Sequence, residues 1–413
     1  MPAKRLKVHF LGIGGIGVSA LAQYYLAKGH EVSGSDLVSS EITEDLKKKG
    51  AKVTIGENIT KKDADLIIYS PAVSVHSAGV HTMSYPEALG ELTKQYYTIA
   101  ICGTSGKSTT TAMISLILIK AGLDPTVIIG TKLKEFGDSN FRAGKSKYLV
   151  IEADEHFGSF LNYWPKMIVI TNIEADHLDY YKNIENIKKA FNKFISHLPE
   201  DGILLGLRNS TDRTKLKKIL KVPGEHNVYD ASLALAAART LNIPDKVSFK
   251  ALSEYKGAWR RFEIVQTKPF ILVSDYGHNP AKVTAALKAA REKWPKKEIW
   301  CVFQPHQYQR TYYLFKDFVK TFRQAPTDGI IITDIYDVAG REERKIKKDV
   351  NSKKLVEAIA RESVTYLPNR EVLPFLKKNL RRGQVLIIMG AGDIYKMVDA
   401  ISKSKIKKQK LKI

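Results

Sequence analysis

Two cysteines in 413 residues leave no room for a disulfide framework or a cysteine-rich metal site. Both, Cys102 and Cys301, fall inside apolar strand-like runs, the setting of reduced core thiols. No apolar run reaches the length that spans a bilayer, and Met1-Pro2-Ala3-Lys4-Arg5 leads straight into a strand pattern without a secretory leader. A soluble, cytoplasmic protein is expected. Acidic residues are scarce as well, 43 against 66 lysines and arginines, which gives a formal net charge of +23. That imbalance could serve a nucleic acid or an anionic lipid surface. The lysines are nevertheless spread along helical patterns, and the one dense run, Ser402 to Lys410, has no interleaved aromatics. A solvated surface that also attracts anionic substrates is therefore preferred, with no nucleic acid or membrane as partner. What the chain has in plenty is apolar residues, 44%, over a length that calls for two or three domains.

The central stretch is Tyr97–Ala121. An apolar run, Thr98 to Cys102, meets Gly103-Thr104-Ser105-Gly106-Lys107-Ser108-Thr109-Thr110, and an apolar helical pattern follows, closed by Gly122. Strand, glycine loop and helix in that order form an anion cradle, because backbone N–H groups converge and the helix start adds partial positive charge. Lys107 would sit on outer phosphates and Ser108 would offer its hydroxyl to Mg²⁺. The loop is a shortened one, G-x-x-G-K-S.

Upstream, the strand Lys7–Leu11 leads into Gly12-Ile13-Gly14-Gly15-Ile16-Gly17, a helix ended by Gly29, and a second strand ending at Asp36. A G-x-G-x-x-G loop with an acidic residue about twenty positions on suits a dinucleotide such as NAD, or any diphosphate-linked nucleoside whose ribose Asp36 could bind. Strands Lys52–Ile55 and Leu66–Tyr69 complete this unit, with Ser70-Pro71-Ala72 just past a strand end, where ligands bind in open sheets. Downstream, strands Thr126–Ile129, Tyr148–Ile151 and Met167–Ile170 precede two acidic clusters, Glu152-Ala153-Asp154-Glu155 and Asn172 to Asp179. Carboxylates at strand ends beside a phosphate loop are what Mg²⁺ and ATP require. His177, among acids, could be a neutral metal ligand or an acid–base group. A Pro223-Gly224 turn then places His226 and Asn227 at the start of an alanine-rich helix expected over Asp230–Leu241; Asn227 reads equally as a nucleobase contact or a helix cap.

A third α/β unit follows Trp259-Arg260-Arg261-Phe262. Its expected strands are Phe270–Ser274, Ile299–Phe303, Gly329–Ile332 and Val385–Met389, and their ends carry Asp275-Tyr276-Gly277-His278, Gln304 to Arg310, and Asp334. Polar groups gathered at one sheet edge suggest a binding face.

Taken together, Gly12 to Gly17, Gly103 to Thr110, Glu152 to Glu155, Thr171 to His177, His226-Asn227, Arg261-Phe262, Asp275 to His278 and Phe303 to His306 resemble the motifs of the Mur ligases of peptidoglycan synthesis, in order and over nearly the whole chain. The resemblance implies an α/β, three-domain Mur ligase-like architecture: a Rossmann-like N-terminal domain (1–96) for the UDP substrate, a phosphate-loop central domain (97–260) for ATP, and a Rossmann-like C-terminal domain (261–413) contacting the amino acid and ATP. The implied reaction is ATP- and Mg²⁺-dependent amide formation between the lactyl carboxylate of UDP-N-acetylmuramate and an amino acid, L-alanine, through an acyl phosphate. It implies catalytic Lys107, Glu152, His177, His278 and Arg310, with Ser108, Glu152 and His177 as metal ligands. Gly103, Thr104, Ser105, Gly106, Lys107, Ser108, Thr109, Asn227, Arg261 and Asp275 would bind ATP. Gly12, Gly14, Gly15, Gly17, Asp36, Ser70, Ala72 and Tyr276 would bind substrate. The implied oligomeric state is a monomer or a weak homodimer.

The chain departs from the family pattern in places. Ser105 and Ser108 stand where histidine and threonine are usual, His156-Phe157 replaces a more polar pair, and the segment between His197 and Val222 is short. Gln307 stands where the alanine-adding member has arginine, which opens the choice to another amino acid or a recycled peptide. Two readings outside the family are an NAD-dependent oxidoreductase built on the Gly12 loop and a basic nucleic-acid-binding protein. The first leaves Lys107 and Glu152 idle, and the second has no use for the acidic strand ends.

Overall fold

Short aliphatic runs, buried on both faces, build three sheets. A computed structural model of the chain describes residues 4–75, 79–174, 176, 178–206, 211–337 and 344–403. The first sheet is β1 (Lys7–Leu11), β2 (Glu31–Asp36), β3 (Lys52–Ile55), β4 (Leu66–Tyr69) and β5 (Thr82–Ser84), all parallel, in the order β3-β2-β1-β4-β5. The order reverses beside β1, so the loops after β1 and β4 face one crevice, where open α/β sheets bind ligands.

The second sheet contains β6 (Tyr97–Cys102), β7 (Thr126–Leu133), β8 (Ser139–Arg142), β9 (Tyr148–Glu152), β10 (Met167–Ile170) and β11 (Ile203–Leu205), in the order β11-β10-β6-β9-β7-β8. Only β8 runs antiparallel, on an edge. The strand feeding the phosphate loop, β6, is thus flanked by β9 and β10, the two strands that end in the acidic clusters. The third sheet contains β12 (Glu263–Gln266), β13 (Ile271–Asp275), β14 (Ile299–Phe303), β15 (Gly329–Ile332), β16 (Val364–Tyr366) and β17 (Val385–Met389). Its order is β12-β13-β17-β14-β15-β16, parallel except for β12.

The chain divides into two compact units, Met1–Leu220 with Val228–Tyr255, and Lys221–Asn227 with Lys256–Ile413. The first unit holds the first two sheets, joined by one apolar core running from Val8, Phe10 and Leu89 to Ala100, Leu149 and Phe191. A buried polar network reinforces the join. Gln23, on the helix Ile16–Ala27, donates to Asn140 Oδ1 of β8 at 2.7 Å and accepts from Ser139 Oγ at 2.9 Å and Lys49 Nζ at 2.6 Å. In the second unit, the helices Pro280–Lys293, Phe315–Arg323 and Ser352–Ile359 cover one sheet face, and Asn369–Asn379 and Tyr395–Lys403 the other.

One local expectation is corrected, and elements the sequence did not suggest are added. The helix expected over Asp230–Leu241 is Glu225–Thr240, because Gly224, at φ +97°, ends the preceding turn at once and lets the helix begin on the next residue. His226 and Asn227 therefore lie within its first turn. The lysine-rich stretch before Val222 contains a helix, Arg213–Ile219, anchored by buried Leu216. The edge strands β5, β8 and β12 carry too little apolar alternation to be read from sequence. Cys102 and Cys301 are free and fully buried, as expected. Among the described residues no helix is long and apolar enough to cross a membrane.

Candidate active site

In the first unit the phosphate loop connects β6 to the helix Lys107–Lys120. Two glycines shape it. Gly103, at φ +131°, lies where a side-chain carbon would collide with Thr171, and Gly106, at φ +86°, caps the helix against the Asp230 carboxyl group. The loop is pinned from the β10 side: Ser105 N–H donates to Asn172 Oδ1 at 2.9 Å, Thr104 N–H to the Asn172 carbonyl at 3.2 Å, and Glu174 N–H to Thr104 Oγ1 at 3.0 Å. The second acidic cluster therefore braces the loop through its backbone and through Asn172. His177, from the same cluster, lies outside the described residues.

Lys107 points back into the site. Its Nζ donates to the Gly103 carbonyl at 2.8 Å and to Glu155 Oε2 at 2.7 Å, with Asp154 at 3.4 Å. Burial pulls the Lys107 ammonium down, but Glu155, Asp154 and Glu152 outweigh it and hold the group above its ordinary value. Burial pushes the Glu155 carboxyl up to about 6 against the pull of Lys107. The cation that the sequence assigns to outer phosphates is thus engaged by a carboxylate. Alongside, Ser108 Oγ donates to Glu152 Oε1 at 3.0 Å, and Glu152 Oε2 accepts from Gly130 N–H at 2.8 Å. Hydroxyl and carboxylate oxygens at the start of a phosphate-loop helix are the donor type a hard divalent cation takes. Among the described residues no group of three His, Cys, Asp or Glu is poised to hold a metal ion by itself. Thr109 is buried in the first turn of the same helix.

The first glycine loop lies at the carboxyl end of β1. Gly12, at φ +71°, faces Ser70, the residue after β4, and Ala72 N–H donates to Ser70 Oγ at 3.3 Å. Asp36 Oδ2 accepts from Gly14 N–H at 2.8 Å, so this carboxylate closes the loop. Gly17 lies against the Tyr85 ring, and Gly15 caps the helix.

The second unit brings together Arg261, Asp275, Tyr276, His278, His306 and Arg310. Both oxygens of Asp275 are engaged by backbone, Phe262 N–H at 2.8 Å and Gly277 N–H at 2.7 Å, and burial raises its carboxyl despite those bonds. Arg261 lies over the Tyr276 ring at 4.5 Å. His278 Nδ1 is 3.0 Å from the Tyr276 carbonyl; a carbonyl only accepts, so Nδ1 carries the proton and Nε2 keeps a lone pair. Burial, then Lys282 and Arg310, hold His278 well below the ordinary histidine range, hence neutral. Arg310 approaches the His306 ring nitrogen at 3.1 Å, and His306 stacks on Tyr336. Gln307, between them, has φ +73° and ψ 132°, a strained backbone for a residue with a side chain. Asn227 Nδ2 donates to the Pro223 carbonyl at 2.6 Å.

Sequence reasoning quoted Glu155 without giving it a role; its signal was position, three residues beyond Glu152. Arg260 and Asp230 were missed. Arg260 is buried among Trp259, Tyr276 and Tyr395 and donates to the Gly390 and Gly392 carbonyls. Asp230 sits in an alanine-rich helix with no local pattern to mark it.

A phosphate loop flanked by acidic strand ends, on the second of three largely parallel α/β sheets in chain order, defines a nucleotide-dependent enzyme architecture of three α/β parts. Residues 7–97 match the Mur ligase family catalytic domain, 101–232 the Mur ligase middle domain, and 260–392 the Mur ligase glutamate ligase domain. The chain is 40% identical to the UDP-N-acetylmuramate--L-alanine ligase of Acetivibrio thermocellus, covering 98% of this chain and 97% of that one. That alignment runs over 464 positions against 413 residues here, so the relative carries segments this chain lacks. Among solved structures, a UDP-N-acetylmuramate-alanine ligase from Thermotoga maritima superposes with a TM-score of 0.80 at 26% identity, over 98% of this chain and all of that one. A murein peptide ligase from Psychrobacter arcticus shares the fold, with a TM-score of 0.71 at 21% identity, over 99% of this chain and all of that one. The chain belongs to the Mur ligase family. Its fold is that family's α/β architecture: a Rossmann-like N-terminal part, a phosphate-loop central part and a Rossmann-like C-terminal part.

Proposed function

We propose that this protein is a cytoplasmic, ATP- and Mg²⁺-dependent ligase that joins L-alanine to the lactyl carboxylate of UDP-N-acetylmuramate in peptidoglycan precursor synthesis. The domains assigned to these substrates are 1–96 for the UDP sugar, 97–260 for ATP, and 261–413 for the amino acid and ATP. The observation that carries the reading is the cluster at the phosphate-loop helix, where Lys107 is held at Gly103 and Glu155 and Ser108 meets Glu152. The similarity to L-alanine-adding relatives points the same way.

In this reading Lys107 exchanges Glu155 for the outer phosphates of ATP, and the backbone of Gly103 to Ser108 cradles them. Ser108 and Glu152, with His177, would hold Mg²⁺, which neutralises charge on the transferring phosphoryl group. A lactyl carboxylate oxygen attacks the γ-phosphorus, the bond to ADP breaks, and an acyl phosphate results. The alanine amine then attacks the acyl carbon, phosphate leaves, and the amine loses a proton. Nε2 of His278 carries the lone pair that would take that proton, and Arg310 would hold the alanine carboxylate. Asn227, Arg261 and Asp275 contact ATP, and Tyr276 the substrate. Gly12, Gly14, Gly15, Gly17, Asp36, Ser70 and Ala72 bind the UDP moiety.

A second reading, ligation of another amino acid or a recycled peptide, is favoured by one observation, the uncharged and strained Gln307 beside His306 and Arg310. The discriminating experiment incubates the protein with UDP-N-acetylmuramate, ATP, Mg²⁺ and single amino acids or a cell-wall tripeptide, and measures phosphate release. Release with L-alanine alone supports the first reading, release with another acceptor the second. No acceptor-dependent release overturns both.

A further inference from the structure

The phosphate loop is gripped from behind by two consecutive residues of the helix Glu225–Thr240. Tyr229 donates its hydroxyl to the Thr171 carbonyl at 2.8 Å, and the Thr171 hydroxyl in turn donates to the carbonyls of Cys102 and Ser105. Asp230, the next residue, is 3% exposed and presses its carboxyl group against Gly106, so closely that a side-chain carbon there would collide with it. Among the described residues no cation pairs with this carboxyl group. From the loop helix it faces Thr110, whose buried hydroxyl has no hydrogen-bond partner elsewhere. Lys107, on that same helix, turns away to Gly103 and Glu155. On its own helix the nearest titratable neighbour is Tyr229, toward which Arg213 contributes charge from the preceding helix.

A carboxylate in that position would be a buried, unpaired charge and would also set a negative charge beside a loop built for polyphosphate. We propose that Asp230 is a positioning residue for the phosphate loop and works with its carboxyl group protonated, neutral against Gly106 and harmless to a bound nucleotide. The proposal rests on the nucleotide role assigned to this loop. Burial independently drives the carboxyl group well above its ordinary range, with Thr110 opposing. Because proton loss places the charge next to the ligand, raising the pH through the carboxyl group's titration weakens nucleotide binding by up to about tenfold per pH unit.

The test measures ADP affinity from pH 6 to 9 for the wild type and for Asp230→Asn, which keeps the shape and cannot ionise. Titration of ADP itself is common to both proteins and cancels in their ratio. The expected result is near equality at the acid end, with affinity falling in the wild type relative to Asp230→Asn at whatever pH the carboxyl group loses its proton. Parallel curves overturn the proposal when the wild type shows no infrared band of a protonated carboxyl group at neutral pH, and support it when that band persists across the range. Should the variant not fold, infrared spectroscopy of the wild type decides. A protonated-carboxyl band at neutral pH, whether it persists or disappears together with an affinity loss, supports the proposal, and the absence of the band at neutral pH overturns it. Absence of ADP binding at every pH in both proteins counts against the nucleotide role instead, while the infrared titration still decides the protonation of Asp230.

Discussion

Replacing Lys107 by Met tests the electrostatics of the cluster apart from turnover. The ammonium is 12% exposed and sits 2.7 Å from a Glu155 carboxylate that is 3% exposed. At an effective dielectric of about 20, the bare attraction is about 6 kcal/mol. The measured loss will be smaller and will depend on pH, because Glu155 can take a proton once its partner is gone. In the wild type the folded Glu155 titrates near 6, above its unfolded value, so its contribution to stability declines as pH rises to that point and is level beyond it. Removing Lys107 lets burial push the carboxyl group higher, so the decline continues. Each further pH unit removes about 1.4 kcal/mol, which makes the gap between variant and wild type about 3 kcal/mol wider at pH 8 than at pH 6. Urea or thermal unfolding of both proteins at the two pH values measures this. Parallel stability losses would refute the assignment of Glu155 as the buried partner of Lys107.

Two further predictions follow from the same packing arguments. Gln23→Leu strips partners from Asn140, Ser139 and Lys49 where the first two sheets join, and should cost roughly 1–3 kcal/mol in urea unfolding; unchanged stability would show the network to be dispensable. His278→Gln should lower kcat by about 10²–10⁴ while leaving ADP affinity intact, and a near-normal kcat would remove His278 from the proton path.

The inner parallel strands were legible because both faces are buried and the sequence reads as unbroken aliphatic runs: β1, β14, β15 and β17 fall on their expected residues. The edge strands β8 and β12 were not, since each is four residues long with few apolar residues and no alternation. In the site, Lys107, Ser108 and Glu152 were legible because strand–glycine–helix order fixes their positions whatever surrounds them. What sequence could not supply was the partner of each charge. That Lys107 meets Glu155, and that Asp230 presses on Gly106 with no cation paired to it among the described residues, depend on strands and helices distant along the chain. Arg260 escaped for a related reason, because the carbonyls it serves lie 130 residues away.

The account turns on the activation of a carboxylate by phosphoryl transfer. UDP-N-acetylmuramate labelled with ¹⁸O in its lactyl carboxyl group, turned over with ATP, Mg²⁺ and L-alanine, reports this directly in the mass of the released phosphate. One labelled oxygen per phosphate is predicted; phosphate that carries none while amide product accumulates would contradict it.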